Sequence, residues 1–193
     1  MSRAPYVVEK SSKPWPAVGN QTLWNTSIGW RMTNPALPTE WTISNGDSAE
    51  LLARIHGISR AAQDEFAARS HLRAAEAWRS GEYDREIVPV PGVELDRDES
   101  IRDAPSLEAL PTLKALFATH GTVTAGNSSS INDGASAVLL GAEGALAVEP
   151  LARITGRGVA GNDPNLFGVA PLRLQSELSL GQDGAGPMSM SSN

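Results

Sequence analysis

Prolines set the first limit on this chain. Pro5, Pro14, Pro16, Pro35 and Pro38 all fall within residues 1–46, and each lacks the amide hydrogen that a helix or a central sheet ladder needs. That stretch is therefore expected to be irregular. It also holds four of the five tryptophans, Trp15, Trp24, Trp30 and Trp41. Side chains so large are expected to pin the loop onto another surface, each indole N–H finding an acceptor. A loop of this length is unusual inside a compact domain and points to missing structural context.

Regular structure is expected where the prolines stop. Asp47 followed by Glu50 reads as a capping box, and Leu51, Leu52 and Ile55 mark one face of a short helix ended by Gly57. Ser59 is suited to cap a second helix, with Ile58 as a hydrophobic staple. Ala62, Phe66, Ser70, Ala74 and Trp78 then recur every four residues as an apolar stripe, Asp64, Arg69, Arg73 and Glu76 fall mainly away from it, and Gly81 closes the helix. His71 sits beside the stripe without a partner for acid–base work, so it reads as a structural or surface histidine.

Further on, Glu86–Val90 and Val93–Leu95 read as two strand-like segments around a Pro91-Gly92 turn. Asp96, Asp98, Glu99 and Asp103 form an acidic cluster that lacks the alternating ligand positions of a calcium loop and reads as a solvated connector. Leu107, Leu110, Leu113 and Leu116 have helical spacing that Pro111 limits or kinks. Gly121 to Gly134 reads as a β-branched strand entering a loop of small, hydrogen-bonding residues, the kind of loop that lets backbone amides and hydroxyls approach a polar ligand. Ala135–Leu140 suits a buried strand, although periodicity leaves a helix open, and Leu151–Val159 looks like another strand. The Ser/Gly/Met-rich end is expected to be disordered.

Composition narrows the chemistry. The 193 residues include no cysteine, which removes disulfides, thiolate metal sites and cysteine nucleophiles together. His56, His71 and His120 are the only histidines and are well spread, so no metal site is expected. With 16 Lys+Arg against 22 Asp+Glu and a net charge of −6, nothing suggests nucleic acid as a partner. No apolar run reaches the roughly 18 residues of a membrane span. The opening Met-Ser-Arg-Ala-Pro lacks a secretory pattern, so a cytoplasmic location is expected.

One long motif identifies a relative. Gly121-Thr122-Val123-Thr124-Ala125-Gly126-Asn127-Ser128-Ser129, continuing into Ile131-Asn132-Asp133-Gly134-Ala135, resembles the Gly-Thr-Val-Thr-Ala-Gly-Asn-Ala-Ser…Asn-Asp-Gly-Ala motif of thiolases, the acetyl-CoA acetyltransferases. Further matching segments follow the family order: Ser2 to Tyr6; Gly57 to Arg60 with Gln63 to Ala67 and Arg69 to His71; Glu86 to Pro89; Asp98-Glu99 with Ile101-Arg102; and Pro150 to Ile154. The resemblance covers roughly residues 1–171.

The resemblance implies an α/β, thiolase-like fold, here a fragment comprising the loop domain plus part of the layered α/β core. It divides the chain into a loop-domain-like region at 1–134, a strand-helix-strand of the core at 135–171, and a non-homologous tail at 172–193. It implies acyl-CoA acyltransferase chemistry in fatty acid metabolism, with a coenzyme A thioester as substrate, no tightly bound cofactor, and homo-oligomers among family members. Two residues carry over: Arg102 matches the arginine that meets the adenosine end of coenzyme A, and Ser129 matches the serine that hydrogen-bonds the pantetheine arm.

No catalytic residue carries over. Thiolase chemistry needs a cysteine to hold the acyl group, a second cysteine for the α-proton, and His and Asn groups at the oxyanions. These motifs are expected before Met1 and after Pro171, so a truncated product, inactive alone, is expected. Departures accompany this: Ala109 replaces a serine of some relatives, polar Asn45 stands where Met usually lines the acyl pocket, and the Leu140–Pro150 connection is short and weakened as a helix by Gly141 and Gly144. The alternatives are a non-catalytic module that binds coenzyme A or a full-length thiolase, and an unrelated hydrolase using Ser128–Ser130. Unprotected apolar strands lead to an expectation of aggregation or pairing with a full-length thiolase.

Overall fold

The computed structural model describes residues 3–12, 14–15, 18–142, 144–145, 147–154, 156–172 and 174–175. They form two compact units, one from residues 43–132 and the other from the described residues before 43 and after 132.

The first unit is built on two helices with fully made ends. Helix α1, Asn45–Ile55, is capped by Ser44, whose Oγ accepts from the Asp47 N–H at 3.1 Å while Asp47 Oδ2 accepts from the Ser44 N–H at 3.2 Å. The capping box is therefore Ser44/Asp47, one turn ahead of the expected Asp47/Glu50 pair. Extended backbone at Ser44 (φ −70°, ψ 162°) presents its hydroxyl to the first turn, and Glu50 is left inside the helix for another task. Ser44→Ala is expected to cost about 1 kcal/mol, read as a lower midpoint in a thermal melt. Gly57, at φ +62°, ends α1 as expected, and the Ile58 N–H reaches the Ala53 carbonyl at 2.8 Å.

Helix α2, Arg60–Arg79, starts as expected at Ser59, whose side chain accepts from the Ala62 N–H. It stops at Gly81, φ +75°, where the Glu82 N–H closes back onto the Ala77 carbonyl at 3.0 Å. Its buried face differs from the expected stripe. Asp64, Ala68 and Ala75 are buried, whereas Phe66 is 66% exposed. A strict four-residue repeat turns about 40° beyond a full revolution at each step, so the apparent stripe winds from an exposed side at Ala62 to a half-buried one at Trp78. Trp78 meets Tyr83 with ring centroids 5.1 Å apart.

Every buried residue among those described lies in this unit: Ala53, Ala68, Ala75 and Val123 with Ser48, Asp64 and Thr124. All are small or medium-sized, so the elements approach closely and polar groups are enclosed along with apolar ones. Pro91-Gly92 forms the expected turn, with Gly92 at φ +80° and the Val93 N–H bonded to the Val90 carbonyl. The flanking segments are exposed and carry no ladder. Pro111 confines the leucine-rich segment to a short 3-10 helix, Leu110–Thr112. Instead of a strand at Thr122–Thr124 there is a single antiparallel bridge, Ala115 to Thr124.

The second unit departs from the expected irregular opening. Strands β1, Tyr6–Val8, and β2, Leu23–Asn25, pair antiparallel with Val7 opposite Trp24. Pro5 stands just before β1, where its missing N–H costs no ladder bond. This small hairpin half-buries Trp24 but not the other indoles: Trp15, Trp30 and Trp41 are exposed, contrary to the expected pinning. Two three-residue strands offer too little surface to cover them. Short 3-10 helices at Thr39–Thr42 and Pro164–Val169 pack on each other.

Ala135–Leu140 is irregular and exposed rather than a buried strand; Val138 and Leu139 are 82% and 78% exposed. Leu151–Val159 likewise carries no ladder in its described residues. A strand exists only where a neighbour accepts its backbone groups, and no described segment pairs with either stretch. The tail expected to be disordered from residue 172 is instead helical at residues 172 and 174–175, and its remaining residues fall outside the described ones.

Candidate functional site

The Gly121–Asn127 motif is held from below by side chains of both helices. Glu50 of α1 accepts the Thr122 N–H at 2.8 and 2.9 Å on its two oxygens, the Val123 N–H at 2.8 Å and the Thr122 hydroxyl at 3.0 Å. Burial acts to raise the Glu50 pKa, but these hydrogen bonds and the Arg60 charge outweigh it and hold the carboxyl below its ordinary range. Gln63 Nε2 of α2 donates to the Thr122 hydroxyl oxygen at 2.9 Å.

A second set of contacts centres on Asn127. Its Oδ1 accepts the Thr124 N–H at 2.8 Å, and its Nδ2 donates to the Thr122 carbonyl and to Asp64 Oδ1, both at 2.9 Å. Asp64 is 3% exposed and is paired with Arg60 Nε at 2.8 Å. Arg60 in turn donates to the carbonyls of Leu110 and Leu113. One polar network thus joins α1, α2, the leucine-rich segment and the motif.

The network changes what the motif can do. The amides of Thr122 and Val123 are engaged by Glu50, that of Thr124 by Asn127, and that of Gly126 by the Thr124 hydroxyl at 3.1 Å. The first half of the motif is therefore a rigid support, and polar groups open to a ligand lie beyond it, at exposed Ser128, Ser129 and Ser130. Close packing enforces the glycine at 126, where an added Cβ would stand 2.5 and 2.6 Å from methyl carbons of Leu110 and Leu113. Gly126→Val is expected to lower stability by about 1–3 kcal/mol through overpacking, measured by thermal melting.

Arg102 is exposed, and its backbone N–H donates to His71 Nδ1 at 3.2 Å. His71 thus has a structural partner, in line with its reading as a structural or surface histidine. The acidic connector is organised by local bonds. Asp98 accepts from the Ser100 hydroxyl and N–H at 2.6 and 2.8 Å, and Asp103 forms a two-pronged pair with Arg97 at 2.6 and 3.1 Å. The Ser100 bonds hold the Asp98 carboxyl below its ordinary pKa range, and the Arg97 bonds do the same for Asp103.

Neither Arg102 nor Ser129 lines the cleft of about 440 Å³ beside α1, whose wall includes Asp47, Glu50, Arg54, Ile58, His120 and Thr122. Ser130 Oγ accepts from Asn132 Nδ2 at 3.0 Å, and the hydrogen bonds described for the serine run include no histidine, so the hydrolase alternative gains no support. Glu50 and Arg60 were missed as site-building residues. The only local signal was the density of charged and amide side chains at 60–64, on a face that pattern reading assigned to solvent.

Comparison with known proteins gives this arrangement its relatives. A family described as the thiolase N-terminal domain matches residues 1–144. The 3-oxoadipyl-CoA/3-oxo-5,6-dehydrosuberyl-CoA thiolase of Escherichia coli is 40% identical over 183 residues, covering 89% of this chain and 45% of that protein. A 3-ketoacyl-CoA thiolase of Klebsiella pneumoniae is 46% identical over 138 residues, covering 66% of this chain and 36% of that protein. The crystal structure of human mitochondrial 3-ketoacyl-CoA thiolase in complex with CoA matches with a TM-score of 0.76 and 32% identity, over 92% of this chain and 45% of that chain. The chain thus spans less than half the length of these relatives. On sequence and on α/β fold together, it belongs to the thiolase family, with residues 1–144 matching its N-terminal domain.

Proposed function

We propose that this chain is the coenzyme A-facing portion of a thiolase-family acyl-CoA acyltransferase, and that these residues by themselves do not complete acyl transfer. The observation that carries the reading is the joint presence of the family match over residues 1–144 and the absence of any cysteine from the 193 residues. A thiolase moves its acyl group through a thioester, and no side chain here can form one. Arg102 would meet the adenosine and phosphate end of coenzyme A through its guanidinium, and Ser129 would hydrogen-bond the pantetheine arm. Their exposure is compatible with both roles. The motif network would act as the frame under Ser129.

The division at residues 134 and 171, the cytoplasmic location and a role in fatty acid metabolism belong to the same proposal. Among the described residues, no helix is long and apolar enough to cross a membrane. The test is a thermal melt with increasing coenzyme A, since a ligand that binds the native state raises its stability. The midpoint should rise, and Arg102→Ala should weaken the apparent affinity about tenfold. No rise at millimolar ligand would overturn the reading.

A second reading, docking onto a full-length thiolase, is favoured by exposed Val138, Leu139 and Leu140 in a stretch without a ladder. Co-elution with a purified thiolase would support it, and separate elution at micromolar concentration would reject it.

A further inference from the structure

We propose that His71 is a positioning residue for Arg102, fixing on helix α2 the loop that presents this arginine to the phosphate-bearing end of coenzyme A. The inference rests on the coenzyme A reading above and extends it to a residue outside the ligand's reach.

The loop is a closed structure. Arg97 and Asp103 join its ends through two hydrogen bonds, at 2.6 and 3.1 Å. Inside it, Asp98 accepts both donors of Ser100, and the Ile101 N–H turns back to the Asp98 carbonyl at 3.4 Å. Residues 97–103 therefore hold their own shape, and what remains is their attachment to the helix. The Arg102 N–H provides it by donating to His71 Nδ1 at 3.2 Å, across 31 residues of sequence.

The half-buried His71 ring is itself held on α2, a 20-residue helix capped at both ends. The Asp98 carboxylate of the loop lies in its neighbourhood, and Asp103 senses Arg79 near the end of the same helix. The bond is made at the backbone of residue 102 itself, so it sets where the guanidinium stem begins. Accepting at Nδ1 requires the neutral ring to carry its proton on Nε2. A side chain without an acceptor at that position would leave the loop intact but free to pivot about the helix.

Three chains decide the proposal: wild type, His71→Ala and His71→Asn, the last keeping an acceptor oxygen near the place of Nδ1. Amide hydrogen exchange needs no ligand. The Arg102 amide should exchange about fivefold faster in H71A and near the wild-type rate in H71N. Affinity is then measured for coenzyme A and for pantetheine, which has neither phosphate nor adenosine. H71A should weaken coenzyme A about fivefold and pantetheine hardly at all, with H71N restoring the difference.

Unchanged Arg102 exchange in H71A would overturn the proposal. So would an equal loss for both ligands, because a general structural defect would not single out one end of the molecule. Failure of the underlying reading shows separately: wild type and Arg102→Ala would bind coenzyme A equally while the exchange difference persisted, which overturns the ligand half of the proposal.

Discussion

Glu50→Ala should destabilise the 43–132 unit by about 3 kcal/mol, since buried donors left unpaired cost roughly 1–3 kcal/mol each. The carboxylate accepts from the Thr122 and Val123 amides and from the Thr122 hydroxyl. Val123 is 6% exposed, so its amide is the donor least able to turn to solvent, whereas Thr122 borders the cleft beside α1. Glu50→Gln should cost less, because one oxygen still accepts while its NH2 faces a donor. The comparison in urea melts isolates the carboxylate from its packing.

The same residue sets a direction with pH. Its folded pKa is lowered, so its stabilisation is fully present above the ordinary carboxylate value of about 4.3 and is lost as pH falls through the folded value. Stability should therefore decline more steeply with acid in the wild type than in E50Q. Identical acid limbs would show that Glu50 is not the group concerned.

Asp64→Ala should be comparably severe, at about 3 kcal/mol or more, because it strands one charge and one amide. Arg60 loses its 2.8 Å partner, and Asn127 loses the acceptor that fixes its Nδ2. Asp64→Asn retains an acceptor for Asn127 but removes the charge opposite Arg60, so it should fall between wild type and Ala. In the double variant with Arg60→Ala, the combined loss should be smaller than the sum, since the two groups share one network. Strict additivity would place Asp64 outside that network.

What was legible in the sequence was mostly local. Ser59, Gly57 and Gly81 mark helix ends because a cap or a left-handed turn acts within four or five residues of chain. The start of α1 was misread because Ser44/Asp47 and Asp47/Glu50 share the same spacing, and only backbone geometry distinguishes them. The buried side of α2 was misread because Asp64 is enclosed by Asn127, 63 residues away, and by Arg60, not by an apolar stripe. Ala135–Leu140 has the composition of a strand, but strand formation depends on neighbours that composition does not specify. At the site, Arg102 and Ser129 came from family resemblance. The contacts that support them, Glu50 to Thr122 and His71 to Arg102, join residues 72 and 31 positions apart and leave no periodic trace.

Intact-mass spectrometry gives the most direct test of whether this polypeptide can hold coenzyme A without holding the acyl group. Purified chain, freed of contaminating enzyme, is incubated with acetyl-CoA and then chased with excess coenzyme A. The expected spectrum shows only the unmodified mass throughout, while coenzyme A still raises the melting midpoint. An acetylated protein that forms rapidly and discharges during the chase would contradict the account, because some residue other than cysteine would then be carrying the acyl group.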